Sequence, residues 1–311
     1  VEQVRRLVEQ DQVLFLWQTL GTPTNSAFHK YVNSKKIPHL FLATGATKWG
    51  DPKNYPWTIG GQPTYQAEGA IYAKHLLRTK PDAKIAILYQ NDDYGKDYVK
   101  GLKDGLKDKA KSMIVAEASY ETAEPSIDSQ VIKLQSSGAN AFFIFAIPKF
   151  AAQAIRKAHD SGWKPLAYIN NVSAGVAAVL QPAGLDKSVG LLSAVYLKDS
   201  HDPQWANAAD VKQYLEFMKK YFPEGDPQDY LNAYGYMQAT LLVHMLKACG
   251  DNLTRDNVMK QATSLKNVEL PMLLPGIKIN TGADDYFIIE QLQMARFDGK
   301  EWKLFGELFD Y

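Results

Sequence analysis

The sequence predicts an α/β protein built on parallel sheets, and three observations carry that prediction. Apolar runs of roughly four to seven residues alternate with helix-like patterns of about ten or more along most of the chain. Glycine, asparagine and aspartate punctuate the junctions between them. The length of 311 residues, with 46% hydrophobic and 22% charged residues, suits two globular domains of ordinary size. Alternation of this kind is the signature of βαβ units, whose crossovers are right-handed and whose strands are parallel.

The elements follow in order. The amphipathic start, Val1 to Leu7, predicts a helix ending near Asp11 and does not have the pattern of a signal peptide. Val13 to Trp17 reads as a buried strand, Ser26 to Lys36 as a helix and His39 to Ala43 as a second strand. Glu68 to Arg78 places Ile71, Tyr72, His75 and Leu76 at helical spacing, and the strand Lys84 to Tyr89 follows. Tyr94 to Lys107 predicts a helix, Ser112 to Ala118 a strand, Ser126 to Ser136 a helix and Ala141 to Ala146 a strand. Phe150 to Ser161 and Leu166 to Ile169 repeat the unit.

After Gly190 the rhythm changes. A strand, Leu191 to Tyr196, leads to two long helices, Trp205 to Tyr221 and Asp229 to Lys247, the second stopped by Gly250. Thr254 is placed to cap a helix running to Leu265. The tail reads as a β-hairpin, Ile288 to Phe297 and Glu301 to Phe305, turning at Asp298-Gly299.

Composition excludes several function classes. The net charge of +1 argues against a broad polyanion-binding surface, so no nucleic-acid partner is expected. No run approaches the roughly 18 apolar residues that span a bilayer. A single cysteine, Cys249, rules out intrachain disulfides and a cysteine-based zinc site. No phosphate loop, G-x-G-x-x-G, H-E-x-x-H or G-x-S-x-G pattern occurs. The histidines are scattered, and Asp92-Asp93 and Asp284-Asp285 sit in turns, where aspartate bonds its own backbone. Neither a metal, a cofactor nor catalytic chemistry is therefore expected.

In open parallel sheets ligands bind beyond the carboxyl ends of the strands. The first strand runs into Thr19-Leu20-Gly21-Thr22-Pro23-Thr24-Asn25, and the second into Ala43-Thr44-Gly45-Ala46-Thr47-Lys48-Trp49. Hydroxyls and helix-start amides form an anion cradle without formal charge. Either loop alone is equally well explained as an N-cap; together they predict a site for a small carboxylate. The later strands end in Gln90 to Gly95, in Phe145-Ala146-Ile147-Pro148 and in Ile169-Asn170-Asn171. These add an aromatic ring, an apolar wall and amides, which suit a partly apolar acid.

With these residues in place, the chain resembles the leucine/isoleucine/valine-binding family of periplasmic solute receptors, which feed ABC transporters in bacteria. The resemblance runs essentially end to end. It rests on Tyr94-Gly95 after the strand Ile85 to Tyr89, on Gly45-Ala46-Thr47 after the second strand, and on the element order through the Asp298-Gly299 hairpin. It implies two Rossmann-like lobes joined by a three-stranded hinge, with a ligand clamped between lobes that close. The implied lobes are interleaved, 1–60 with 198–290 and 61–197 with 291–311.

By resemblance, Thr19 and Thr47 hold the ligand carboxylate together with backbone amides of the Leu20-Gly21-Thr22 loop, and Gly45 offers a carbonyl beside Ala46. Tyr94 closes from the second lobe, and Tyr230 or Leu231 touches the ligand from a returning helix. The chain departs from the family at three points. Asn171 stands where amino-acid binders carry an acid, and Ala146 or Ile147 where a tyrosine is frequent. By the same resemblance, a first βαβ segment of about sixty residues is expected to be lacking at the front.

A buried ammonium without a countercharge is costly. The expected ligand is thus an aromatic, branched-chain or oxo acid without an amine. The resulting expectation is a monomeric periplasmic receptor, exported although no signal peptide is present in this chain, that delivers this carboxylate to an ABC permease. Two other binding readings stay open, a ligand-sensing domain of the same fold and an amino-acid receptor of Leu/Ile/Val type. A hydrolase on an α/β scaffold is disfavoured by the lack of an activated nucleophile.

Overall fold

The computed structural model describes residues 1–310. The chain divides into two compact units, residues 1–64 with 235–290 and residues 65–234 with 291–310, and it passes between them three times.

In the first unit, α1 (Glu2–Glu9) buries Val4 and Val8 against Leu16, Phe28, Val32 and Ile37. Strand β1 (Leu16–Trp17) leads through α2 (Thr22–Ser26) and α3 (His29–Ser34) to β2 (His39–Leu42), and β3 (Thr58–Gly60) completes a parallel sheet of order β1-β2-β3. The strand expected over Val13 to Trp17 shrinks to two residues. Gln12 and Gln18 both take φ of 51°, so the backbone turns away from the ladder on either side. The helix expected over Ser26 to Lys36 is split, because Phe28 leaves helical geometry (φ −128°) to enter the core. In β2, Phe41 has φ of 51° and the register slips between His39 and Leu42, a bulge that redirects the strand end toward Ala43–Thr47.

The second unit begins with α4 (Tyr65–Thr79), followed by β4 (Ile85–Gln90), α5 (Asp93–Leu106), α6 (Ala110–Met113), β5 (Ile114–Tyr120), α7 (Asp128–Ser136), β6 (Ala141–Phe145), α8 (Pro148–Asp160), β7 (Leu166–Ile169), α9 (Gln181–Ala183), β8 (Leu192–Val195) and α10 (Ala209–Tyr221). The chain leaves this unit within α11 (Tyr230–Cys249), adds α12 (Arg255–Ala262) to the first unit, and returns as the hairpin β9 (Gln291–Phe297) and β10 (Trp302–Asp310). The seven-stranded sheet has the order β10-β9-β8-β7-β6-β4-β5, with β4 to β8 parallel and the last hairpin antiparallel. Strand β4 lies between β5 and β6, so the connections after β4 and β5 run in opposite directions. The carboxyl ends of β4 and β6 therefore flank a topological switch point.

Helices α4 and α5 approach backbone to backbone. A Cβ on Gly101 would fall 2.1 Å from the Gln66 carbonyl oxygen, so only glycine fits there. The β5 strand starts two residues later than expected because Ala110–Met113 adds a helical turn. Residues 198–234, read from the sequence with the first lobe, lie in the second unit. Ser200 Oγ and Tyr214 OH both donate to the Pro227 carbonyl (2.6 and 3.1 Å), and Tyr230 OH donates to Val172 O at 3.0 Å. Conversely, residues 61–64 belong to the first unit, where Gln238 Nε2 donates to Gly61 O at 2.6 Å.

Candidate functional site

In the first unit the two hydroxyl-rich loops are brought together. Leu20 bridges to Ala43, and the Thr22 and Thr44 hydroxyls meet at 2.5 Å. Thr44 is the hub of this junction, because it also accepts from Trp49 Nε1 at 3.2 Å and from Ala46 N at 3.4 Å. Thr22, Gly45 and Ala46 are buried, Gly21 and Thr47 half-buried, and Leu20 is 74% exposed. The Thr19 hydroxyl points into the unit rather than outward. It donates to Asn25 Oδ1 at 2.5 Å and lies 2.6 Å from His39 Nε2. Burial, reinforced by His29, drives the His39 pKa down to about 3, so a neutral ring donates Nε2–H to Thr19. Helix α2 is one turn long, so it contributes little dipole to an anion. The formal charge at these loops is the Lys48 ammonium, which sits on Ser26 Oγ and 4.9 Å above the Trp49 ring.

In the second unit the strand ends around the switch point are cross-linked. Asp92 caps α5, accepting from Tyr94 N at 2.9 Å and Gly95 N at 3.3 Å, and also takes Gln90 Nε2 at 2.6 Å. The Tyr94 phenol bonds the Asn170 amide, whose nitrogen reaches Ala146 O at 3.0 Å and Ile144 O at 2.9 Å. Tyr120 OH receives Ile147 N at 3.0 Å, and Ser173 Oγ donates to Ala146 O at 2.6 Å. Asn171 Nδ2 donates to Ala194 O at 2.9 Å, while Tyr230 OH takes the neighbouring Val172 carbonyl. Tyr94, Ala146, Ile147, Asn171 and Tyr230 thus belong to one connected wall. Among the described residues no group of His, Cys, Asp and Glu is placed to hold a metal ion.

A profile of the periplasmic binding protein family matches residues 1–301. The chain belongs to this family. Leu/Ile/Val-binding protein homolog 7 of Brucella abortus (strain 2308) is 26% identical over 202 residues, covering 63% of this chain and 48% of that protein. The chain spans about half the length of the curated relatives it matches. A branched chain amino acid ABC transporter from Thermus thermophilus with bound valine shares the fold, with a TM-score of 0.86 at 16% identity over 100% of this chain and 81% of that chain. A solute binding protein from R. palustris in complex with 4-hydroxybenzoate gives 0.81 at 16% identity, covering 99% and 82%. Family and fold are those of periplasmic binding proteins, and among the described residues no helix is long and apolar enough to cross a membrane.

This periplasmic binding protein holds a group at the wall that sequence reasoning passed over. Glu68, on α4, is 2% exposed. Its Oε1 accepts from Tyr72 OH and from Asn171 N, both at 2.6 Å, and its Oε2 from Tyr98 OH at 2.8 Å. Burial pushes its carboxyl up to about 7, against the pull of those three donors. Tyr98 stacks between Tyr65 (4.4 Å) and Phe145 (4.9 Å), and Tyr94 stands edge-on to both tyrosines. The sequence held a signal for this: Tyr65, Glu68, Tyr72 and Leu76 fall on one helical stripe, and all four are buried. Thr44, Lys48 and Asn170 were likewise not singled out, since each acts through a partner distant in sequence.

Proposed function

We propose that this chain is the extracytoplasmic solute receptor of an ABC importer, exported to the periplasm and delivering its ligand to an inner-membrane permease as a monomer. Its ligand is a small carboxylate without an amine, an aromatic, branched-chain or oxo acid, contacted by strand-end loops. Thr22, Gly45, Ala46 and Thr47 with Lys48 would receive the carboxylate, and Tyr94, Ala146, Ile147, Asn171 and Tyr230 the remainder. Thr19 enters this reading as a support of the loop, since its hydroxyl is engaged by His39 and Asn25.

The observation that carries the reading is that the acids beside Tyr94 and Asn171 are engaged by the protein itself. Asn171 stands where the resemblance places an acid, Asp92 is engaged as a helix cap, and both oxygens of Glu68 are taken. A desolvated ammonium there would find no carboxylate oxygen free to bond it directly. The neighbour in complex with 4-hydroxybenzoate is consistent with such a ligand on this fold. The amino-acid reading is favoured instead by the valine-bound neighbour and by the names of the Brucella relatives.

Calorimetry with leucine and 4-methyl-2-oxopentanoate, which differ at the amine, separates the two. Binding of the oxo acid at least about ten-fold tighter is expected, a gap of about 1.4 kcal/mol. Tighter binding of leucine overturns the proposal. Mass spectrometry of solute released from freshly purified, denatured protein gives an independent answer.

A further inference from the structure

The Tyr72 hydroxyl lies between two acceptors, Glu68 Oε1 at 2.6 Å and the Ile169 carbonyl at 2.8 Å, and receives Ala194 N–H at 3.1 Å. Its single hydrogen serves one acceptor at a time. With Glu68 ionised, the phenol donates to the carboxylate. With Glu68 protonated, the carboxyl O–H donates to the phenol oxygen and the phenolic hydrogen turns to Ile169 O. Glu68 and Tyr72 stay bonded to each other in both states with the heavy atoms unmoved, so a proton enters or leaves without repacking, and only Ile169 O gains or loses its phenolic donor. The titratable groups facing Glu68 are phenols: Tyr72 on its own helix, Tyr94 and Tyr98 on α5, Tyr196 after β8 and Tyr230 at the start of α11. Asn171 and Ser193 complete the surroundings with uncharged groups.

We propose that Glu68 is a specificity-determining residue: its charge, switched by one proton taken up from or released to solvent while the Tyr72 hydrogen reorients, sets which ligand charge the wall of Tyr94 and Asn171 accepts. This rests on the reading that Tyr94 and Asn171 contact the ligand. An ionised Glu68 lies directly behind the Asn171 backbone and repels an anion at the wall, whereas the neutral acid does not. Because burial raises the carboxyl to about 7, both states are populated at neutral pH. The sign follows from linkage. An anion binds the protonated form better, so its affinity rises as pH falls through about 7, and binding takes up a proton.

The test uses 4-hydroxybenzoate and 4-methyl-2-oxopentanoate as anionic probes, with the Asn171 amide resonance as a ligand-free reporter. Wild type should bind a probe roughly three- to ten-fold tighter near pH 6 than near pH 8, and calorimetry in buffers of different ionisation enthalpy should show proton uptake. Glu68→Gln should bind at both pH values as wild type does near pH 6, without proton uptake. In the unliganded protein the Asn171 amide should titrate with a midpoint near 7, be flat in Glu68→Gln, and shift upward in Tyr72→Phe, which loses one donor to the carboxylate.

A pH-independent affinity in wild type, or tighter binding at high pH, overturns the proposal. So does an Asn171 midpoint in the ordinary carboxylate range. If neither probe binds at either pH, the ligand class fails, and the Glu68 assignment is decided by the amide titration in wild type and Tyr72→Phe. If Tyr94→Phe and Asn171→Ala leave probe affinity unchanged, the site reading fails by itself.

Discussion

The Thr19 hydroxyl lies 2.6 Å from Nε2 of His39, twenty residues away, and donates in turn to Asn25 Oδ1. Asn25 closes the loop by donating from Nδ2 to Thr19 O at 2.9 Å and to Gly21 O at 2.8 Å. This chain of bonds holds the Thr19–Thr22 turn in shape. Thr19→Val keeps the volume but strands a buried N–H and a buried amide oxygen. Unfolding in urea should show a loss of about 1–3 kcal/mol, larger than the effect of the same change at exposed Thr24.

Three buried groups in the two units give the protein a distinctive acid response. Burial, aided by Lys48, lowers His29 to about 4, and burial, with His29 second, lowers His39 to about 3. The unfolded chain therefore binds more protons at these histidines below about pH 6.5, so their contribution is full above that value and is lost as pH falls toward 4. Glu68 has the opposite sign. Its folded carboxyl is raised, so its contribution is present below the unfolded value near 4.5 and is lost as pH rises through about 7. The two slopes oppose each other between about pH 5 and 6. Glu68→Gln removes one of them, and its unfolding free energy should depend on pH more steeply than wild type there, by about 1.4 kcal/mol per pH unit.

What was legible in the sequence is what local chemistry decides. Asp92 caps the helix that Tyr94-Gly95 opens because an aspartate side chain reaches amides two and three residues on. Asp298 likewise bonds the amides of Lys300 and Glu301 in the hairpin turn. The buried strands β4, β6 and β7 stand out as apolar runs because helices cover both sheet faces. Val13 to Phe15 failed as a strand because a run of apolar residues does not reveal that the backbone bends at Gln12 and Gln18. Glu68 is a long-range feature, its partner Asn171 lying 103 residues away, and periodicity alone reads it as one more helix position. Thr19 shows the limit for sites: residue type suggested a ligand contact, and only the position of His39 reveals an inward hydroxyl.

The close approach of α4 and α5 predicts a sharp response at Gly101. Alanine there places a methyl 2.1 Å from Gln66 O and 2.4 Å from Gln66 Cα, and a backbone neighbour has no rotamer by which to yield. Gly101→Ala should cost roughly 2–4 kcal/mol in chemical denaturation. Because the separated helices also move Tyr98 from Glu68, the Asn171 amide midpoint should rise in the same variant.

Lys48 provides the last prediction, and it distinguishes two ways of holding an anion. If backbone amides of the Thr22–Ser26 turn did the work, removal of a side-chain charge nearby would matter little. A single helical turn carries a small fraction of a full dipole, whereas Lys48 brings a whole charge to the junction of both loops, beside Ser26 and Trp49. Lys48→Met, which keeps the length of the chain, should weaken binding of 4-methyl-2-oxopentanoate about ten-fold or more and flatten its dependence on salt. Its effect is also visible without any ligand. Lys48 is the second cause, after burial, of the low His29 value, so the His29 imidazole should titrate closer to its ordinary range in the variant, followed by its ring proton resonances. A shifted His29 with unchanged affinity would place the charge at the loops and remove it from binding.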